Sequence, residues 1–203
     1  MHDEDTRALV DLYEGRYMAD GAEITTLGWK NRKEQRLRFD VLSGIGPLQH
    51  ATVCDVGCGF GDLADYFREK QLNVTYTGLD IAPSFVAHAK AAHPEDSFIQ
   101  LDLDQDPYDQ EHDYFLSSGA LSFKRQDNMA HATRMIEKMF SLCRKGVAVN
   151  FLSTYVNHQH PRNFHYSPED VFRLARGLTK WVKIRHDYPL WEFTLYLYKE
   201  AQA

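Results

Sequence analysis

Cysteine is scarce in this chain of 203 residues, which holds only Cys54, Cys58 and Cys143. Three cysteines cannot all pair with one another, and the C-x₂-C spacing of many zinc sites is absent. Cys54 and Cys58 also lie inside a glycine-rich segment. The sequence therefore predicts free thiols in a reducing compartment and no metal site built from cysteine.

Two other features are also missing from the sequence. No apolar run is long enough to cross a bilayer, and the acidic start at Met1–Asp5 lacks the basic and apolar parts of a signal peptide. These absences predict a cytoplasmic protein with no membrane partner. The 23 basic residues do not balance the 29 acidic ones, and the net charge of −6 disfavours a large nucleic-acid surface. The sequence does not indicate an oligomeric state.

Apolar periodicity indicates that strands and helices alternate along most of the chain. Two helix patterns come first, at 5–18 and 29–42. Predicted strands follow at 51–56, 73–79, 97–103, 113–118, 146–153, 181–188 and 192–198, and predicted helices at 62–70, 83–93, 126–143 and 167–178. This alternation is typical of an α/β protein with helices on both faces of a parallel sheet. The last two strands are joined by too few residues for a parallel crossover, so this pair should be antiparallel.

A glycine-rich turn follows the first predicted strand, in the sequence Val53–Asp62 (VCDVGCGFGD). Glycine allows a ligand to approach the backbone closely, because no Cβ stands in the way. Gly57 and Gly59 fit a dinucleotide fingerprint, but its third glycine is displaced to Gly61, with Asp62 in the expected place. The turn therefore predicts a nucleotide-like cofactor and argues against a NAD-dependent oxidoreductase.

Carboxylates end the second and third predicted strands, at Asp80 and Asp102. The carboxyl ends of parallel strands meet at one edge of a sheet, where ligands bind. Asp80 can accept hydrogen bonds from both hydroxyls of a ribose, and the alternative for this residue is a helix cap before Pro83. Both carboxylates are expected beside the glycine turn.

The segment from Asp55 to Gly61 resembles motif I of the class I S-adenosylmethionine (SAM) methyltransferases, and the resemblance extends from about Ala51 to Lys199. It implies a seven-stranded, mostly parallel sheet in the order 3-2-1-4-5-7-6, with the last strand antiparallel. It also implies one methyltransferase domain over residues 1–203, with residues 1–48 as an N-terminal helical cap that closes over the site as a lid.

The resemblance implies SAM as the cofactor and gives roles to several residues. Asp102 would accept from the adenine amino group, Asp55 would order the glycine loop, and Tyr17, Gln35 or Arg38 would hold the SAM carboxylate. The alternative for Arg38 is a solvated helix face. The predicted cofactor-binding residues are Tyr17, Arg38, Asp55, Gly57, Cys58, Gly59, Asp80, Ile81, Asp102, Leu103 and Ser118.

The loop after the fifth predicted strand, residues 154–166, should emerge beside the cofactor and bind the methyl acceptor. His158 and His160 are candidate catalytic bases, although histidines on the surface or in packing remain an open alternative. A metal site is disfavoured because no nearby carboxylate completes it. The predicted substrate-binding residues are Trp29, Tyr155, His158 and Tyr166.

These observations predict an enzyme that moves a methyl group from SAM to a nucleophilic atom of a small molecule by direct displacement. Two alternatives remain besides the NAD enzyme: an RNA methyltransferase and a SAM-binding protein without catalysis. Enzymes that methylate exocyclic base nitrogens often carry Asn/Asp-Pro-Pro-Tyr after the fourth strand. This chain has Ser-Ser-Gly-Ala at 117–120 instead, which opposes that alternative.

Overall fold

The computed structural model describes residues 4–202, which form one seven-stranded sheet with six helices around it. In chain order the elements are α1 (Glu4–Asp20), α2 (Arg32–Ser43), β1 (Thr52–Val56), α3 (Asp62–Glu69), β2 (Thr75–Asp80), α4 (Pro83–Ala92), β3 (Ser97–Gln100), β4 (His112–Ser117), α5 (Asn128–Leu142), β5 (Cys143–Leu152), α6 (Pro168–Leu178), β6 (Val182–Arg185) and β7 (Glu192–Tyr198). Among these residues, no helix combines the length and apolar character that a membrane span requires.

The strands lie in the order β3-β2-β1-β4-β5-β7-β6, which confirms the predicted order. Strands β1 to β5 pair in parallel, whereas β7 is antiparallel to both β5 and β6. The short connection between β6 and β7 allows only this reversal. As a result, the carboxyl ends of β1 to β5 open at the same edge of the sheet.

Local polar contacts explain where the elements differ from prediction. Strand β3 ends at Gln100, earlier than the predicted residue 103, because Asp102 forms a turn in which its carboxylate accepts the N–H of Asp104 at 3.0 Å. Helix α5 begins only after Asp127, whose side chain caps it by accepting the N–H of Ala130. Both shifts place polar side chains at the open edge of the sheet.

The two helices of the predicted cap are packed in different ways. Helix α2 contributes Phe39, Val41 and Leu42 to the main hydrophobic core, and none of the three is more than 4% exposed. Helix α1 packs through Tyr13 and Tyr17 onto a small separate cluster. Helix α2 is therefore part of the main core, whereas α1 and the loop after it pack against the separate cluster.

Candidate active site

A cavity of about 500 Å³ lies at the carboxyl edge of the sheet. Its walls come from the glycine loop after β1, the ends of β2, β4 and β5, helix α1, and the loops at 27–30 and 160–163. Small-molecule sites usually have volumes of roughly 300–1,000 Å³ and occur at this edge of α/β sheets. The cavity is thus large enough for a cofactor together with a small second ligand.

The glycine loop turns sharply from β1 into α3 and lines the cavity. Gly57, Gly59 and Gly61 have φ angles of +78°, +56° and +88°, in the left-handed region that favours glycine. A Cβ on Gly57 would lie 2.6 Å from the Cβ of Ala120. Only glycine fits here without strain, so the loop brings its bare backbone to the cavity wall.

Asp80, at the end of β2, fixes the glycine loop from below. Its carboxylate accepts the N–H of Gly59 at 2.8 Å and the N–H of Ala82 at 2.9 Å. Burial raises the pKa of Asp80, while these two hydrogen bonds oppose the rise. A carboxylate has about four lone-pair positions, so Asp80 can accept further hydrogen bonds from a ligand in the cavity.

Asp55 lies beneath the loop on β1 and is only 3% exposed. The hydroxyl of Tyr76 donates to its carboxylate at 2.7 Å. Burial raises the pKa of Asp55 to about 7, against the lowering effect of the Tyr76 hydrogen bond. Near neutral pH this carboxyl is therefore divided between its charged and neutral forms.

Asp102 lines the cavity beyond Asp80, on the side where Ile81 and Leu103 supply apolar surface. The hydroxyl of Thr6, in the first turn of α1, donates to Asp102 at 3.2 Å. Helix α1 therefore reaches this end of the cavity.

Three buried polar atoms on the cavity wall have no hydrogen-bond partner among the described residues: Gln35 Oε1, Arg38 Nη1 and Ser118 Oγ. A buried polar group without a partner costs free energy, roughly 1–3 kcal/mol, so native structures rarely leave such groups together. All three atoms belong to residues that line one cavity, which favours a polar ligand there.

The rest of the Arg38 guanidinium forms a buried ion pair. It donates to both carboxylate oxygens of Glu192. Its central carbon, Cζ, lies over the Trp29 ring, 4.5 Å from the ring centroid. The Asn150 amide donates to Glu192 at 2.8 Å and accepts the N–H of Gly119, also at 2.8 Å. Arg38 is therefore not on a solvated face, and it has only Nη1 left for a ligand.

Most predicted site residues line this cavity, but four do not. Tyr166 is 1% exposed and donates its hydroxyl to the carbonyl of Leu121, within the core. Tyr155 points outward and donates to Glu169. Tyr17 packs against Phe60 and Phe85, and the cavity is reached instead by Tyr13, one turn earlier.

The fourth residue, His158, is exposed and outside the cavity lining, whereas His160 lines it. The structure therefore does not bring Tyr17, Tyr155, Tyr166 and His158 to the cavity lining. The reason is the loop conformation: after Thr154 the chain turns away and returns to the cavity only at residues 160–163.

The sequence did not identify several residues that line the cavity: Tyr13, Arg16, Arg125, His131, Asn150, Arg162 and Glu192. The position of Glu192 in the sequence did not place it at the cavity, because β7 is the last strand of the chain but lies next to β5 in the sheet. Asn150 carried a signal, since it is a polar residue in an otherwise apolar strand.

A second cluster, His93, Glu95 and Asp96, lies outside the cavity with geometry that could hold a metal ion. The Arg68 guanidinium, however, lies 2.5 Å from both carboxylates. Arg68 therefore already balances the charges of Glu95 and Asp96. Because Arg68 lies in α3 and His93 directly follows α4, the cluster joins α3 to the end of α4.

Comparison with known proteins agrees with this geometry. Residues 53–146 match a family model described as a methyltransferase domain. A methyltransferase-like protein of Mycobacterium tuberculosis is 29% identical over 157 residues, which cover 74% of this chain and 94% of that protein.

Solved structures share the fold over nearly the whole chain. Magnesium protoporphyrin IX methyltransferase of Synechocystis, solved with SAM, has a TM-score of 0.72 at 18% identity and covers 98% of this chain and 99% of its own. The 1,6-didemethyltoxoflavin-N1-methyltransferase of Burkholderia thailandensis, solved with 1,6-didemethyltoxoflavin and S-adenosylhomocysteine, has a TM-score of 0.67 at 16% identity and covers 98% of this chain and 91% of its own. The matched methyltransferase domain, the sheet order and the neighbours solved with SAM or S-adenosylhomocysteine support the prediction of a class I SAM-dependent methyltransferase, with SAM as the cofactor.

Proposed function

We propose that this protein transfers the methyl group of SAM to a nucleophilic atom of a small molecule. The observation that carries the proposal is the meeting of the glycine loop, Asp80 and Asp102 in one cavity with three buried, unpartnered polar atoms. When bound, SAM supplies a methyl carbon on a sulfonium: the acceptor's lone pair forms the new bond, and the electrons of the broken C–S bond stay on sulfur.

The end of the cavity with two carboxylates suits the nucleoside part of the cofactor. The free lone pairs of Asp80 would accept from the two ribose hydroxyls, and Asp102 would accept from the adenine amino group. Ile81 and Leu103 would contact the faces of the adenine ring. In this arrangement, Asp80 orders the glycine loop and holds the ribose at the same time.

The methionine part of the cofactor would lie along the glycine loop. Gly57, Cys58 and Gly59 offer backbone without bulky side chains, and Arg38 Nη1 is a buried donor available for a carboxylate. The Ser118 hydroxyl lies at the end of β4, on the same wall. Asp55 would act indirectly, by fixing the loop through its burial beneath it.

The acceptor would enter between Trp29 and the loop at 160–163, which both line the cavity. Transfer from a sulfonium depends mainly on holding the nucleophile in line, which can contribute roughly 7–11 kcal/mol in the best oriented systems. A small molecule fits the volume left beside a cofactor in a cavity of about 500 Å³. The solved relatives named for toxoflavin and porphyrin methylation support this acceptor size.

The direct test is an acceptor screen in which S-adenosylhomocysteine formed from SAM is quantified for each small molecule. The proposal expects at least one acceptor to raise its formation well above the rate without acceptor, and Asp80→Ala to remove that increase. Binding of SAM with no turnover across a broad panel, including RNA, would favour a SAM-binding protein without catalysis. Turnover with RNA alone would contradict the small-molecule acceptor.

A further inference from the structure

The loops after β4 and β5, which contribute to the wall of the cavity, contain basic residues and no acid. We define the acceptor rim as residues 118–126, after β4, and residues 154–166, after β5. These two segments contain Lys124, Arg125 and Arg162 together with three histidines, but no aspartate or glutamate. In a chain with 29 acidic residues and a net charge of −6, this rim is a local region of opposite sign.

The two segments of the acceptor rim form one paired unit. Phe123 and Asn163 make an antiparallel bridge, the N–H of Phe164 donates to the Ser122 carbonyl, and the N–H of Lys124 donates to the carbonyl of Arg162, each at 2.9 Å. Arg125, His160 and Arg162 all line the cavity. The pairing therefore holds cationic side chains of both segments around the same opening.

The acids that line the cavity lie outside these two segments, and two of them already have partners. Glu192 pairs with Arg38, and Asp62 accepts from Gln35 and Arg32. Within residues 4–202, in contrast, no carboxylate forms an ion pair with Arg162. Its guanidinium is thus a charged, planar donor at the mouth of the cavity, a geometry that suits carboxylate or phosphate.

His160 presents a donor rather than a base. The backbone N–H of Arg162 donates to its Nδ1 at 3.3 Å, which requires an unprotonated Nδ1. In the neutral ring the proton is then on Nε2, so His160 has a hydrogen to donate and no second lone pair to accept one. This tautomer makes His160 a poor catalytic base and a suitable partner for an anion beside Arg162.

From these contacts we propose that the methyl acceptor is a small organic anion, with a carboxylate or phosphate group bound by Arg162 and His160. Its apolar part would lie against Phe123 and Leu152, which line the same cavity. This inference rests on the proposed function, because it assigns the acceptor of that reaction. Arg162 and His160 would select the acceptor by charge and take no part in the bond changes.

The test uses simple probes on protein saturated with S-adenosylhomocysteine, whose own binding is measured first by calorimetry. Benzoate, phenyl phosphate and the neutral benzamide are then titrated and followed by NMR. We expect an anion to bind at least roughly tenfold more tightly than benzamide, the effect of one charge-assisted hydrogen bond. The anion that binds more tightly identifies the acceptor's group as carboxylate or phosphate. Higher ionic strength should weaken the binding of the anion and leave the binding of benzamide unchanged.

Three variants locate the preference. Arg162→Gln should abolish most of the preference for the anion over benzamide, and Arg162→Lys should keep part of this preference. The matched control Arg173→Gln, on the exposed face of α6, should keep all of it. Thermal unfolding checks that each variant folds. Equal binding of benzoate, phenyl phosphate and benzamide, no binding of any probe, or a full preference in Arg162→Gln would overturn the inference. Failure of S-adenosylhomocysteine to bind would instead overturn the proposed function, since the anion preference can also be measured without cofactor.

Discussion

The carboxylate of Asp80, at the end of β2, accepts the backbone N–H of Gly59, in the loop after β1, at 2.8 Å. This bond connects the residue proposed to hold the ribose with the loop proposed to hold the methionine part of SAM. Because Asp80 is 8% exposed, the contact is shielded from water. One side chain can therefore control both halves of the cofactor site.

Replacing Asp80 should weaken cofactor binding more than replacing Asp102. Asp80→Ala removes the loop contact and two bonds to ribose hydroxyls, each worth roughly 1.5–3 kcal/mol as a charge-assisted bond, whereas Asp102→Asn keeps one acceptor oxygen for the adenine amino group. Calorimetric titration with S-adenosylhomocysteine measures both losses. A larger loss in Asp102→Asn would reverse the proposed roles.

Substitution of Gly59 should reduce both cofactor affinity and stability. Gly59 has φ +56°, and a Cβ on it would lie 2.8 Å from the side chain of Leu27. Gly59→Ala should therefore cost roughly 1–2 kcal/mol from the left-handed conformation alone, measured by denaturant unfolding, together with a loss of S-adenosylhomocysteine affinity.

A matched control exists for this change in Gly15, which lies in α1 with open space around it and an ordinary φ. Gly15→Ala should be neutral or stabilising, by roughly 0.5–1 kcal/mol. Adding Leu27→Ala to Gly59→Ala tests how much of the effect comes from the contact with Leu27. Equal stability of Gly59→Ala and wild type would contradict the strain at this turn.

The stability of the protein should carry a pH dependence from Asp55. Burial raises its pKa from the ordinary 3.8 to about 7 in the folded state, so between these values the folded protein holds a proton that the unfolded chain has released. This contribution to stability therefore falls as pH rises through that window, by at most about 1.4 kcal/mol per pH unit. Above about pH 7 the loss is complete.

Asp55→Asn removes this titration and keeps an acceptor oxygen for Tyr76. The melting temperature of the variant relative to wild type should therefore rise as pH increases from about 4 to 7. Asp80 also has a raised pKa, but it is present in both proteins and cancels in the difference. Parallel melting curves across this range would contradict the burial effect on Asp55.

Cofactor should protect α1 more than α2 from hydrogen exchange. Helix α1 packs on a small separate cluster and reaches Asp102 through Thr6, whereas α2 is already in the main core. Adding S-adenosylhomocysteine should slow exchange in α1 and the following loop and leave α2 nearly unchanged. Equal exchange of α1 with and without ligand would mean that it is not a lid.

Truncation separates the same two helices. The side chains of Phe39, Val41 and Leu42 in α2 are buried in the main core, so a deletion that includes α2 should prevent folding. Removal of residues 1–20 should keep a cooperative unfolding transition, while removal of residues 1–48 should abolish it. Circular dichroism during thermal unfolding distinguishes the two results.

The sequence predicts the cofactor side of the site better than the acceptor side, for a physical reason. Gly57, Asp80 and Asp102 occupy the ends of consecutive parallel strands, so strand position alone brings them to one edge. The acceptor side is built from long-range contacts, such as the hydrogen bond from the N–H of Lys124 to the carbonyl of Arg162, which no local pattern encodes. The sequence could not show that Tyr155 and Tyr166 lie outside the cavity lining, because the orientation of a side chain in an irregular loop depends on its tertiary partners.

The most direct test of the central claim, that the glycine loop with Asp80 and Asp102 forms a SAM site, is calorimetric titration of one protein sample with S-adenosylhomocysteine and with NAD. The account predicts binding of S-adenosylhomocysteine in about the micromolar range, lost in Asp80→Ala, and no heat of binding for NAD. Binding of NAD without binding of S-adenosylhomocysteine would contradict it.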